Sequence, residues 1–447
     1  MKIKYLINRR FLFVVILLLF VSYLINFEVS LLKVKNYLKK TFIYQEINEN
    51  KSKLTKQVLG DENYYTKIIE KQFLDPGSKE KSRIIKTANF NILIDSINLN
   101  ENGNFANIGG SFLIFKDNFL VVDRLGSFFW ISDHLLSKIN LPKIPNNIKN
   151  YILNSNIGHL FNDTFLRVIS LAYDQKSNNL LVGYTRYIND ECNKFIISKI
   201  FFTGPSVYGS HWTDIFVSEC FPTTEPSHGG GGKMLIKGDN LYFTVGYPDS
   251  VGFDEDKNFD KEHIYNTQDL EKQSGKIFSL NLIDNYVSMI SYGHRNSQGL
   301  VFYDDMLYET EHGPQGGDEI NLIHKGKNYG WPFHTFGARY NKFDYDVIGK
   351  KPLNFNYEEP LYSFVPSIGI SPIDIVTNFH SEWNGDLIVG GLSSRSIHRI
   401  KLSKKNTPIF VEDIFLDKRI RDIKVKDKKL YLLTDDSKLL SLSIKEN

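Results

Sequence analysis

Residues 293–337 read GHRNSQGLVFYDDMLYETEHGPQGGDEINLIHKGKNYGWPFHTFG, and within them DDMLYETE (304–311) is a unit that recurs along the chain. Each copy is a polar turn, then Leu or Phe, then a run of mostly apolar residues. The other copies are KDNFLVVD (116–123), SNNLLVGY (177–184), GDNLYFTV (238–245), NGDLIVGG (384–391) and DKKLYLLT (427–434). Turn residues bounding short aromatic and aliphatic runs mark β-strands. The leading apolar residues Phe119, Leu180, Leu241, Leu307, Leu387 and Leu430 stand 61, 61, 66, 80 and 43 residues apart. That spacing is longer than the roughly 40–50 residues of common propeller repeats and leaves room for four strands with generous loops. Six copies predict an all-β fold, a six-bladed β-propeller with four-stranded blades over 86–447. A pair of β-sandwiches reusing one hairpin type is the rival, and the even spacing of the first four copies favours the ring.

Polar clusters flank the strands of 293–337. His294, Arg295, Asn296 and Gln298 come before; Glu311, His312, Gly313-Pro314, Gly316-Gly317 and Asp318-Glu319 come after. A lone cluster of this kind reads as a turn or a solvated hairpin. In a propeller, corresponding loops gather at one end of the channel, so 225–233, 293–298, 311–319 and 418–422 are expected to converge there. Polar groups on loops over a rigid sheet are where ligands are held.

The residue types limit the chemistry. Ser227-His228 followed by four glycines and Lys233 is not a Walker loop, because Met234-Leu235-Ile236 and a strand follow the lysine instead of Ser/Thr and a helix. The glycines instead let a ligand lie close to backbone while His228 faces it. Arg295 with Asn296 offers a fixed cationic fork and an amide, suited to polarising a carbonyl or clamping a carboxylate. Glu311, His312, Asp318 and Glu319 beside the Gly313 and Pro314 carbonyls are mostly oxygen donors, which fits calcium better than zinc. Arg419 and Arg421 lie two apart, on one face of a strand-like segment.

Composition narrows the class further. With 42% hydrophobic and 23% charged residues the chain is globular, and a net charge of +3 from 54 basic and 51 acidic residues gives no nucleic-acid footprint. Two cysteines, Cys192 and Cys220, exclude a disulfide-dense scaffold and a cysteine zinc site; a bridge and two buried thiols are both open. Residues 1–10 carry four cations and no acid, and 11–27 (FLFVVILLLFVSYLINF) run 17 residues without a charge. No small-residue cleavage site follows, which predicts an uncleaved transmembrane signal-anchor with the N-terminus cytoplasmic. Residues 28–85 then read as a Lys-rich helical stem and linker, leaving the propeller on the extracytoplasmic side.

GHRNSQGLVF, ETEHGPQGGDEINLI and KNYGWP, with SHGGGGK, LYFTVG, EWNGDLIVGG and RIRDIKV…LYLLTDD, resemble the glucose/sorbosone dehydrogenase family from about residue 90 to the C-terminus. The family's members are soluble quinoproteins, six-bladed propellers holding pyrroloquinoline quinone (PQQ) with calcium. The resemblance implies a PQQ-dependent sugar or alcohol dehydrogenase with a respiratory electron acceptor. It assigns His228 as the base for the sugar hydroxyl. Arg295 and Asn296 match contacts to the quinone oxygens, and Arg419 and Arg421 match the pair on the cofactor carboxylates. Gly313 and Pro314 match the calcium ligands, with Asp318 and Glu319 in the matching acidic loop and His312 beside the cofactor. Three positions depart from the family pattern. Tyr247 replaces the aspartate that supports the base, with Asp249 two residues on as substitute. Asp163 falls where a glutamine contacts the cofactor, and Ser393 stands for a cofactor-binding lysine, with Arg395 close by. These departures keep a second reading in view, a non-catalytic propeller that binds a glycan or protein partner. A lactonase-type hydrolase is disfavoured by the basic cradle of Arg295, Arg419 and Arg421.

Overall fold

A computed structural model describes residues 82–100, 109–132, 135–148, 150–151, 167–221, 230–247, 265–338 and 356–445. All six repeated units are the second strand of a sheet: Asn118–Val122, Asn179–Asn189, Asn240–Val245, Met306–Glu311, Leu387–Gly391 and Lys429–Thr434. Each pairs antiparallel with an inner strand: Ser111–Phe115, Val168–Asp174, Gly231–Lys237, Ser297–Tyr303, Ile370–Ile375 and Ile420–Lys426. Numbered in that order, these are blades 1 to 6.

The repeat is visible in sequence because each hairpin tip uses left-handed backbone. Positive φ occurs at Lys116, Asn178, Gly238, Asp304, Asp305, Gly385, Asp427 and Lys428, just ahead of the six second strands. Asn, Asp and Gly tolerate that conformation best, so the turns select them.

Blades 1, 3, 4 and 5 have four strands, as predicted. In blade 2 the long third strand Cys192–Gly204 carries two short partners, Val207–Tyr208 and Thr213–Val217. Blade 6 has five strands, because Asn91–Asn98 pairs with Lys438–Ile444 and Arg83–Lys86 adds outside it. An N-terminal strand beside a C-terminal one closes the ring, and blade 6 takes in residues ahead of the expected start at 86.

Hydrogen bonds cross every blade junction. Leu171 N donates to Ser111 Oγ (3.3 Å) between blades 2 and 1, and Met234 N to Ser170 Oγ (3.2 Å) between 3 and 2. Thr244 Oγ1 donates to the Ser297 carbonyl (3.3 Å) and Thr310 Oγ1 to that of Ser371 (2.7 Å), joining blades 3–4 and 4–5. Val425 N donates to Asp374 Oδ2 (2.9 Å) and Ser111 Oγ to Asp422 Oδ2 (2.6 Å), joining 6–5 and 1–6. Among the described residues the apolar side chains form clusters between neighbouring blades, one at each of the six junctions. The core is thus a ring of interfaces with a polar axis.

Among the described residues no helix is long and apolar enough to cross a membrane. The expected span at 11–27 and nearly all of the stem lie outside them.

Candidate active site at the mouth of the ring

Inner and second strands are antiparallel, so the starts of the former and the ends of the latter share one end of the ring. Gly230–Lys233, Arg295–Asn296, His312–Asp318, Ser393 and Arg419–Asp422 all fall there. Five inner strands carry a register shift near their start, at 168/170, 231/234, 297/299, 370/373 and 420/422. Bulges at a rim re-aim side chains. His228, Asp249 and Asp163 lie outside the described residues.

Arg295 is the hub of the blade 3–4 side. Its Nη1 donates to the carbonyls of His312 (3.2 Å) and Gly313 (2.9 Å), and its guanidinium lies 5.3 Å from the centre of the Trp331 ring. Its backbone N donates to Glu311 Oε2 at 2.5 Å, and its carbonyl accepts from Tyr247 N at 2.7 Å. Asn296 is buried, and its Oδ1 accepts from Gly231 N (3.3 Å) and Gln298 Nε2 (2.7 Å). Gly246 N bonds the Gly230 carbonyl at 3.1 Å. Gly230 and Tyr247, each two residues from an expected catalytic residue, therefore stand beside the Arg295–Asn296 step.

Arg419 and Arg421 meet on one carboxylate. Arg419 Nε donates to Asp435 Oδ2 (2.9 Å), and Arg421 donates to Oδ1 (2.8 Å) and Oδ2 (2.7 Å). Burial works to raise the Asp435 pKa, and the Arg421 and Arg419 charges outweigh it and hold it below the usual carboxylate value. Arg419 also reaches the Leu392 carbonyl at 3.2 Å, next to exposed Ser393.

Of the four expected metal ligands, the neighbouring Asp318 and Glu319 point to opposite faces of their strand. The Gly313 carbonyl receives Arg295, and the Pro314 ring packs on Gly337. Asp318 is buried and accepts from Gly313 N (3.1 Å), Ser367 Oγ (2.9 Å) and Ile370 N (2.8 Å). Burial opposes its ionisation, but His312, 3.8 Å away, and these donors outweigh it and hold its pKa down. Glu319, the next residue of the strand, turns to the opposite face and meets Asn321 Nδ2 at 3.3 Å.

Sequence reasoning passed over Lys233 as part of a discarded phosphate-loop pattern. Its Nζ crosses the channel from blade 3 to Asp422 of blade 6, the blade opposite, at 2.5 Å with both side chains buried. Burial pulls the lysine pKa down. Burial also acts to raise Asp422, but Lys233 and Lys424 outweigh it and keep the aspartate ionised. Arg124 and Arg167, buried at the same end of blades 1 and 2, were missed too. Only the strand positions give them away.

The model for the Glucose / Sorbosone dehydrogenase family matches residues 166–441. The chain belongs to this family. It is 36% identical over 155 residues to the aldose sugar dehydrogenase YliI of Escherichia coli, a match covering 33% of this chain and 41% of that one. The matched stretch thus spans about two fifths of that relative's length. The solved soluble aldose sugar dehydrogenase of E. coli, in its apo form, aligns with a TM-score of 0.62 at 21% identity, covering 79% of this chain and all (100%) of the other. The PQQ-bound aldose sugar dehydrogenase of Streptomyces coelicolor aligns at 0.54 with 19% identity, over 83% and 100% of the two chains. At such identities these structures establish the fold alone, a six-bladed propeller.

Proposed function

We propose that the protein is an outward-facing PQQ-dependent sugar or alcohol dehydrogenase, anchored through residues 11–27. One observation carries the reading: Arg295 Nε is buried at the mouth without a hydrogen-bond partner among the described residues, while its Nη1 fixes the His312–Gly313 turn. A buried cationic donor left unmatched is a cost unless an anion or carbonyl meets it. PQQ is a tricarboxylate with quinone oxygens, and Arg295, Arg419, Arg421 and Asn296 at one mouth suit it. The Gly313 and Pro314 carbonyls would hold its calcium.

When bound, the cofactor supplies a two-electron acceptor for hydride. The chain's own part is positioning and proton transfer. His228 would take the substrate hydroxyl proton as the C–H bond breaks, with Asp249 as the acid assigned to support it. Arg295 would hold the acceptor's oxygens, and Arg419 and Arg421, pre-oriented on Asp435, would hold its carboxylates. The Cys192–Cys220 disulfide, with an S–S distance of 2.00 Å, supports export to an oxidising compartment and decides between the two open cysteine readings. A respiratory acceptor on the same membrane would drain the electrons.

The test is aldose-dependent dye reduction by the full-length chain loaded with PQQ and calcium. His228→Ala is expected to lower turnover at least a hundredfold with cofactor uptake retained; unchanged turnover removes His228 from the mechanism. Exposed Ser393, where the family resemblance implies a lysine, favours the second reading, a propeller that binds a glycan or protein without turnover. Absence of PQQ uptake would select that reading.

A further inference from the structure

Blade 4 buries three carboxyl groups side by side. Glu309, Glu311 and Glu319 are at most 8% exposed, and all three carboxylates accept from one amide nitrogen, Asn321 Nδ2, at 3.1, 3.0 and 3.3 Å. Among the described residues no lysine or arginine side chain pairs with them, and Arg295 reaches Glu311 through its backbone N. Buried carboxylates without a counter-charge are strongly unfavourable, and such groups are paired, protonated or bound to metal.

Two further observations select metal. Among the described residues Glu309 Oε1 and Asn321 Oδ1 are completely buried without a well-formed hydrogen bond, and the Ser297 hydroxyl is the neutral group beside the Glu309 carboxylate. The amide of Asn321 points into the cluster, and exchanging its O and N by a half-turn would present an oxygen to the carboxylates. His294 completes the set. Its Nδ1 lies 3.2 Å from Glu311 Oε1, its Nε2 lies 2.8 Å from Ser291 Oγ, and its ring stacks on Tyr329 at 4.6 Å. A ligating imidazole usually gives its other N–H to a fixed acceptor, as Ser291 allows here. Ligand atoms of His294, Glu309 and Glu311 all lie within 4.8 Å of one another. Ligands about 2.1 Å from a first-row ion sit roughly 3.0–3.4 Å apart along the edges of its coordination polyhedron, and the His294–Glu311 separation falls in that range.

We infer that His294, Glu309 and Glu311, with the Asn321 amide, form a buried site for a first-row divalent cation inside blade 4. One imidazole among carboxylates suits manganese or zinc better than calcium. The ion would brace Glu311, and through it the backbone of Arg295, without touching a substrate. This site is separate from the oxygen donors at Gly313 and Pro314, and it does not depend on the dehydrogenase reading.

The test uses the full-length chain, stripped with chelator and then held in excess calcium so that oxygen-only sites are filled. Mn2+ is titrated in and the free-ion magnetic resonance signal followed, with Zn2+ as competitor. Expected is one tight Mn2+ per chain, displaced by Zn2+, with Glu309→Gln weakening binding at least tenfold while the circular dichroism is unchanged. Asn321→Asp, which adds a charged oxygen, is expected to bind Mn2+ more tightly and to be stabilised by it. Absence of tight Mn2+ uptake by the wild type overturns the proposal. So does a Glu309→Gln variant with unaltered Mn2+ affinity and a higher melting temperature, the behaviour of carboxylates that merely share protons.

Discussion

Arg295 concentrates the residue-scale argument. It holds two carbonyls with one nitrogen and keeps another unmatched, which a lysine cannot imitate because an ammonium has no planar fork. Arg295→Lys is expected to weaken PQQ binding at least tenfold by fluorescence titration, and unaltered affinity would remove Arg295 from the cofactor site. Asp435 is the counterpart on blade 6. Asp435→Asn leaves Arg421 and Arg419 without their shared anion and is expected to cost about 2–4 kcal/mol of stability in denaturant unfolding. Arg295, Arg419 and Arg421 stood out in the sequence because GHRN and RIRD are short, local patterns, and the structure brings each to the same end of the ring. Asp435 was not marked out as their partner, since its acid sits in a turn, TDDS, that reads as solvent-facing. Glu309 was hidden for a similar reason: an alternating polar residue in a strand implies an exposed face, and here that face is covered.

At the scale of elements, the second strands carried the signal. Their left-handed tips force the same few residue types at every copy, so six strands could be located before any pairing was known. The first and third strands lack such a constraint and were not individually legible. The N-terminal segment shows how such an element is held. Arg399 of blade 5 donates to Asn89 Oδ1 at 2.6 Å, lies between Trp383 (4.7 Å) and Phe410 (5.0 Å), and faces Asp386 (3.6 Å) and Glu412 (3.3 Å). Burial pushes the Asp386 carboxyl up to about 6, against the pull of Arg399. An acid raised in the folded state binds its proton there more tightly than in the unfolded chain, where its pKa is about 3.9. Its contribution is complete below about pH 4 and is lost as pH rises through about 6. Asp386→Asn is therefore expected to flatten the pH dependence of stability between those values, read from melting temperatures; an unchanged slope would assign it to other groups.

The whole molecule is a closed ring, and two features fasten it. Strand Asn91–Asn98 seals blade 6, so a chain beginning at residue 99 is expected to lose cooperative unfolding. The Lys233–Asp422 pair bolts opposite blades across the axis. Breaking it with Lys233→Met strands a buried carboxylate, at an expected cost of about 3–5 kcal/mol. The double change Lys233→Met with Asp422→Leu should recover part of that in chemical denaturation. This pair could not be read in advance, because its members are 189 residues apart and only ring closure at six blades brings them together. The mouth gathers separate basic loops, and the proposed function makes them one seat for an anionic redox cofactor. The most direct measurement is equilibrium binding of PQQ to the full-length chain with calcium, compared with an Arg419→Ala/Arg421→Ala variant of unchanged fold. The expected result is saturable one-to-one binding that weakens at least a hundredfold in the variant. Absence of binding to the wild type, or equal binding by both chains, would contradict the account.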